Sequence, residues 1–321
     1  MDLVEKIEPV LIFFAIILGL LFSNVSIIAQ NTGNLITLFL CLMLFGLFLE
    51  IPLNELKNSF KNVKFSLTSL IINFLWTPLF GYFLGTLFLK GNVDILVGFF
   101  MLILTPCTDW YLVFTKLAKG DLTLSLSILP INLILQIVLL PIYLIIFFSN
   151  GINLDYNQLA YSLIIVIVIP FIASQIVKFI LKNDLKDKVI KSFSSLQIWF
   201  LLLAVFCIFA SQGELLYSNL ESNVKIFIPL IIFFTANAII DLLLSEKINF
   251  TYPEYASLTM TTLARNSPLA LAIAINSFPG HELIAMALVI GPLIELPILY
   301  IVSRFCLWIK NSGLFFVCGN F

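Results

Sequence analysis

Two short segments decide how this chain folds: Thr105-Pro-Cys-Thr-Asp-Trp110 and Ala264-Arg-Asn-Ser-Pro-Leu269. Each falls at the midpoint of a long apolar stretch, residues 95–117 and 255–277. Proline in a helix interior removes a hydrogen bond and clashes with the preceding turn, whereas at the first position of a new helix it costs little, and a Thr or Ser before it is a favoured cap. Thr105-Pro106 and Ser267-Pro268 therefore both read as a helix that stops and restarts in mid-stretch. Two half-helix N-termini would present unpaired N–H groups and positive dipole ends to one central place. Two idle proline kinks are the alternative, and the matched placement of the motifs beside the ionisable Asp109 and Arg265 argues against it.

Outward from these motifs, 61% of the 321 residues are hydrophobic and 11% charged, against about 45–50% and about 25% in soluble domains. That excludes a soluble enzyme. With 17 basic and 18 acidic side chains there is no cationic surface for nucleic acid. The five cysteines lack CxxC or HxxxH spacing, which excludes a structural zinc site and a disulfide framework; no cofactor is expected. Met1–Glu8 carries three acids and one lysine, the reverse of a signal peptide, so the first apolar stretch is expected to be retained.

A bilayer span needs about 20 apolar residues. Ten stretches qualify: residues 9–25, 34–49, 65–89, 95–117, 122–148, 157–180, 194–211, 224–244, 255–277 and 282–308. The connections are short and polar, such as Gln30-Asn-Thr-Gly33, Lys90-Gly-Asn-Val-Asp94, Ser149-Asn-Gly151 and Pro279-Gly280, leaving no room for a soluble domain. On this alternation 14 basic residues fall on the side of the N-terminus and only Lys90 and Lys225 on the other, Arg265 lying inside a span. Cytoplasmic loops collect Lys and Arg, so a multi-pass protein of the plasma or inner membrane is expected, with both termini cytoplasmic and the lipid bilayer as its solvent.

The second and seventh stretches, the third and eighth, and the dipeptides Gly120-Asp121 and Gly280-His281 are each offset by 159 or 160 residues. Five spans per half is an odd number, so the second copy must enter from the opposite face. The reading is an all-α integral membrane protein of ten transmembrane helices in two inverted five-helix repeats, residues 1–150 and 151–321, with the fourth and ninth helices broken.

TPCTDWYLVFTKLAKGD in the fourth span, with ARNSPLALAIA and VIGPLIELP in the ninth and tenth, resembles the arsenical-resistance permeases of the bile acid/sodium symporter superfamily. The resemblance runs through nearly the whole chain in length, span count and repeat, and is most specific in about 40 residues of those three stretches. It implies a panel domain and a core domain, the broken helices crossing in the core, and export of trivalent arsenic or antimony. It also places the family's thiol at Cys107, its asparagine at Asn266 and its tenth-span carboxylate at Glu295. Trivalent arsenic is soft and exchanges hydroxyls for thiolate, so Cys107 is a suitable transient metalloid ligand, with Thr108, Asn266 and Arg265 around the solute.

Each candidate has a plainer reading. Cys107 could be a packing residue. Arg265 in mid-span costs at least about 2.5–3.5 kcal/mol, so it needs a carboxylate; Asp109 and Glu295 are the candidates, and a permanent structural ion pair is the alternative to a coupling role. Cys107 and Asp109 reach one site only if the backbone is unwound there. Asp241 reads as a snorkelling, solvated acid and His281 as a solvated turn residue. Gly81-Tyr-Phe-Leu-Gly85 reads as a packing patch.

A guanidinium supplies donors only and repels cations, so a proton is expected as coupling ion rather than sodium, with Asp109 and Glu295 as the titrating groups. The partners expected are thus a small inorganic or organic solute and an ion. An intramembrane acid-dyad enzyme is disfavoured because no enzyme calls for mirrored broken helices. A channel is a further alternative, and sodium-coupled transport of an organic anion is the main rival.

Overall fold

A computed structural model describes residues 3–23, 25–50, 62–108, 110–148, 161–181, 183–218 and 224–312. These residues form helices, with one isolated antiparallel bridge. In order, α1 is Leu3–Phe22, α2 Ser26–Glu50, α3 Val63–Ile71, α4 Thr77–Phe88, α5 Val93–Leu104, α6 Trp110–Leu117 and α7 Leu122–Phe148. Then follow α8 Ile169–Ile180, α9 Asn183–Ser218, α10 Phe227–Lys247, α11 Tyr252–Leu263, α12 Ser267–Ser277 and α13 Glu282–Ser312.

Among the described residues, six helical segments are long and apolar enough to cross a membrane: Val63–Phe88, Leu122–Phe148, Tyr161–Ile180, Asp184–Ser211, Phe227–Lys247 and Glu282–Ser312. Large apolar side chains face outward on them, including Phe83, Ile146, Phe179 and Ile301. So broad an apolar surface is stable only against lipid. The chain is an all-helical, multi-pass membrane protein.

Gln30-Asn-Thr-Gly33 is a correction: it lies inside α2 instead of joining two helices, and the turn falls at Ser23, whose hydroxyl and N–H both bond Leu20 O. A few polar residues do not end a helix when each backbone group keeps its bond within the turn ladder.

Two spans contain a single wide turn, Ile72–Trp76 between α3 and α4 and Ile164–Val168 before α8. Each is followed two residues later by proline, Pro78 or Pro170. Proline cannot donate to the carbonyl four residues back, and widening the turn accommodates that loss. The carbonyl Pro78 leaves open is that of Phe74, and the Tyr143 hydroxyl donates to it from α7.

The helices pack in two groups. In one, α2 lies along α9 and α8, with α1 also on α9. In the other, α13 lies on α5, α11 and α12, with α4, α6, α7 and α10 around them. Close approach is needed at Gly98 in α5, where a Cβ would stand 2.6 Å from Ala287 Cβ and 2.8 Å from Ile284 O of α13. At Gly81 a Cβ would overlap Ile103 Cδ1 at 1.8 Å, so the Gly81–Gly85 patch seats α4 on α5.

Candidate functional site

The apolar run of α5 ends at Leu104, and α6 begins only at Trp110; likewise α11 ends at Leu263 and α12 begins at Ser267. Thr105 and Ala264, the residues that end α5 and α11, are extended (φ −103°, ψ 95° and φ −68°, ψ 137°). The two extended segments run antiparallel, with Pro106 opposite Arg265. Cys107 N–H donates to Ala264 O at 2.9 Å, and Asn266 N–H donates to Thr105 O at 2.6 Å. Backbone groups that lost their helical partners are thereby paired with each other, as a dry interior requires.

Proline does not act here as the cap chemistry alone suggests. Pro106 sits within the extended segment, several residues ahead of α6. Pro268 is the second residue of α12, whose cap is Asn266: its Oδ1 accepts from Leu269 N at 3.1 Å. The other Asn266 atom, Nδ2, donates to Thr108 Oγ1 at 3.3 Å, so one asparagine ties both breaks together. Thr105 Oγ1 turns back to Met101 O and Leu102 O and also reaches Asn266 O, each at 3.2 Å.

Cys107, Thr108, Arg265, Asn266, Ser267 and Glu295 are all buried. Ser267 Oγ has no hydrogen-bond partner among the described residues and borders a small cavity of about 10 Å³ between Ile12 and Val205 on one side and Pro268 and Val289 on the other. That is room for about one water. Asp109 lies outside the described residues.

Glu295 and Arg265 meet, but through the main chain: Glu295 Oε1 accepts the Arg265 N–H at 2.7 Å. The guanidinium goes elsewhere. Its Nη2 donates to Thr262 O, its Nη1 to Asn73 Oδ1 at 3.4 Å, and its carbon lies 5.0 Å from the centre of the Phe233 ring. Among the described residues no carboxylate oxygen lies within 4.0 Å of it, and Nε has no partner.

Asp241 corrects the sequence reading. It is fully buried rather than snorkelling, and its Oδ2 accepts from Thr262 Oγ1 at 2.6 Å. Asn73, Phe233, Asp241 and Thr262 were missed as site residues, and the sequence held a signal for one of them: Asn237, Asp241 and Ser245 recur every four residues, which places three polar groups on one helix face. A lipid-facing acid would not be flanked in that way. His281 keeps 41% of its imidazole exposed in the turn after Gly280, and its Nδ1 also pairs with Asp94 Oδ1 at 2.9 Å.

Among the described residues no three His, Cys, Asp or Glu side chains cluster as a metal cage would require. Among the described residues the crossing therefore offers one thiol, hydroxyls and an amide, in a buried setting with one fixed positive charge.

Comparison with known proteins finds relatives over most of the chain. Arsenical-resistance protein Acr3 of Corynebacterium glutamicum is 26% identical over 317 residues, covering 92% of this chain and 85% of its own. Acr3 of Alkaliphilus metalliredigens is also 26% identical, over 82% of this chain and 78% of its own. YocS of Bacillus subtilis, an uncharacterized sodium-dependent transporter, is 23% identical over 77% and 75%. The model of the Sodium Bile acid symporter family matches residues 37–219, more than half of the sequence, and the chain belongs to that family.

Proposed function

We propose that the protein is a secondary active transporter that exports arsenite and antimonite in exchange for protons. The observation that carries this reading is the buried thiol Cys107 within the antiparallel crossing of two interrupted helices. One thiolate binds trivalent arsenic and still lets it go, whereas three would trap it. Similarity to two Acr3 proteins over most of the chain supports the same substrate class. Thr108, Asn266 and Arg265 would surround the solute at the crossing. The ten spans are organised as two inverted repeats, residues 1–150 and 151–321, with both termini in the cytoplasm of a plasma or inner membrane.

Coupling rests on the buried Arg265 charge and the carboxylates around it, Glu295 and Asp109 being those drawn from the sequence. A fixed guanidinium repels a sodium ion and favours an ionised carboxylate that exchanges a proton as the solute enters or leaves.

A second reading is sodium-coupled transport of an organic anion, favoured by the family's description and by the sodium-dependent relative. Proteoliposomes of the purified protein separate the two. Arsenite accumulation driven by a pH gradient without sodium supports the first; a requirement for sodium together with indifference to pH selects the second. Saturation of that flux excludes a channel.

A further inference from the structure

Among the described residues, two buried carboxylates and one buried cation share the core beside the crossing: Glu295, Asp241 and Arg265. Their charges leave one negative charge over, and in a site shut off from water an unbalanced carboxylate is costly until it takes up a proton. Glu295 is committed, since its Oε1 holds the Arg265 N–H and with it the extended segment. Asp241 is differently placed. Its Oδ2 is held by Thr262 Oγ1, and Oδ1 has no partner among the described residues. Thr262 in turn accepts the Arg265 guanidinium through its carbonyl, so one residue joins the acid to the cation.

The groups around Asp241 complete the picture. From α11 and the segment after it come Tyr255, Thr262 and Arg265, and from α13 Cys306, whose Sγ lies 3.6 Å from the Tyr255 hydroxyl, and Glu295. From α4 no charged side chain comes, and its Tyr82 is packed on Phe100 and Phe147. On α10 itself, Asn237 Nδ2 one turn before and Ser245 Oγ one turn after also lack partners among the described residues, and all three side chains are fully buried. The stripe ends at Ser245, two residues before the α10 end at Lys247.

We propose that Asp241 is the carboxylate that carries the coupling proton, with Thr262 relaying its charge state to Arg265. The inference rests on the proton-antiport reading above and narrows it. A proton from one aqueous side adds to Asp241 Oδ1 and leaves the core with one more positive charge. It is released to the other side when the solute-loaded core needs the ionised acid to balance Arg265. No bond other than O–H forms or breaks.

The test uses the full chain in proteoliposomes with arsenite as probe, measuring accumulation driven by a pH gradient and arsenite exchange at equal pH. In Asp241→Asn, whose amide oxygen still accepts from Thr262, gradient-driven accumulation should be lost while exchange continues. Thr262→Val, which keeps every charge, should shift the pH of half-maximal flux. Gradient-driven accumulation in Asp241→Asn equal to wild type overturns the inference alone, and equal loss of both activities makes Asp241 structural and also overturns it. If Asp241→Asn does not fold, a wild-type pH profile in Thr262→Val overturns it. Wild-type flux that ignores the pH gradient overturns this inference and the proton-antiport reading together.

Discussion

Arg265 is surrounded by neutral partners, a carbonyl, an amide and an aromatic face, while two carboxylates stand one link away. A buried cation so placed is poised, because small changes in the neighbouring acids alter its balance. Arg265→Gln is expected to give a folded protein without pH-driven arsenite flux, read in proteoliposomes. Glu295→Gln keeps an oxygen that accepts the Arg265 N–H, so the gradient response should survive at reduced flux. Glu295→Ala leaves that N–H unpaired and should cost about 1–3 kcal/mol of stability, seen as a lower melting temperature in detergent. That Arg265 needs a carboxylate was legible from its place in a span. Which acid, and through which atoms, was not, because hydrogen-bond geometry joins residues 30 positions apart, such as Arg265 and Glu295. Asp241 was misread because distance from a span end was weighed and its helix face was not.

Among elements, the half-helices depend on close neighbours. Gly98→Val would drive a side chain into the α13 backbone at Ile284, an overpacking that costs about 1–3 kcal/mol and should lower thermal stability in detergent. Tyr143→Phe would leave the Phe74 carbonyl open beside Pro78 at a cost near 1 kcal/mol, measurable in the same assay. The apolar stretches were readable because a span is specified by composition over about 20 residues. Local detail was less so. The polar run at Gln30 lies within a helix, and the cap of α12 is Asn266 rather than Ser267, since a side chain three residues before an N–H reaches it whichever residue precedes the proline. The wide turns at residues 72–76 and 164–168 had a signal in Pro78 and Pro170 that span counting passes over.

In the whole molecule, α1, α2, α8 and α9 form one packed group and the broken helices sit in the other, with the crossing buried close to where the groups meet at α1, α9, α12 and α13. The small cavity there has room for about one water and is itself too small for a solute. Charge counting along the sequence speaks to orientation and repeat offsets to internal symmetry, but neither touches chemistry; that lies in the few residues of the crossing. The measurement closest to the central claim is arsenite uptake by everted membrane vesicles carrying wild type, Cys107→Ala or Cys207→Ala, Cys207 being a buried cysteine within the continuous helix α9. Uptake is expected to persist in Cys207→Ala and to vanish in Cys107→Ala; uptake by Cys107→Ala at the wild-type rate would contradict a thiol site at the crossing.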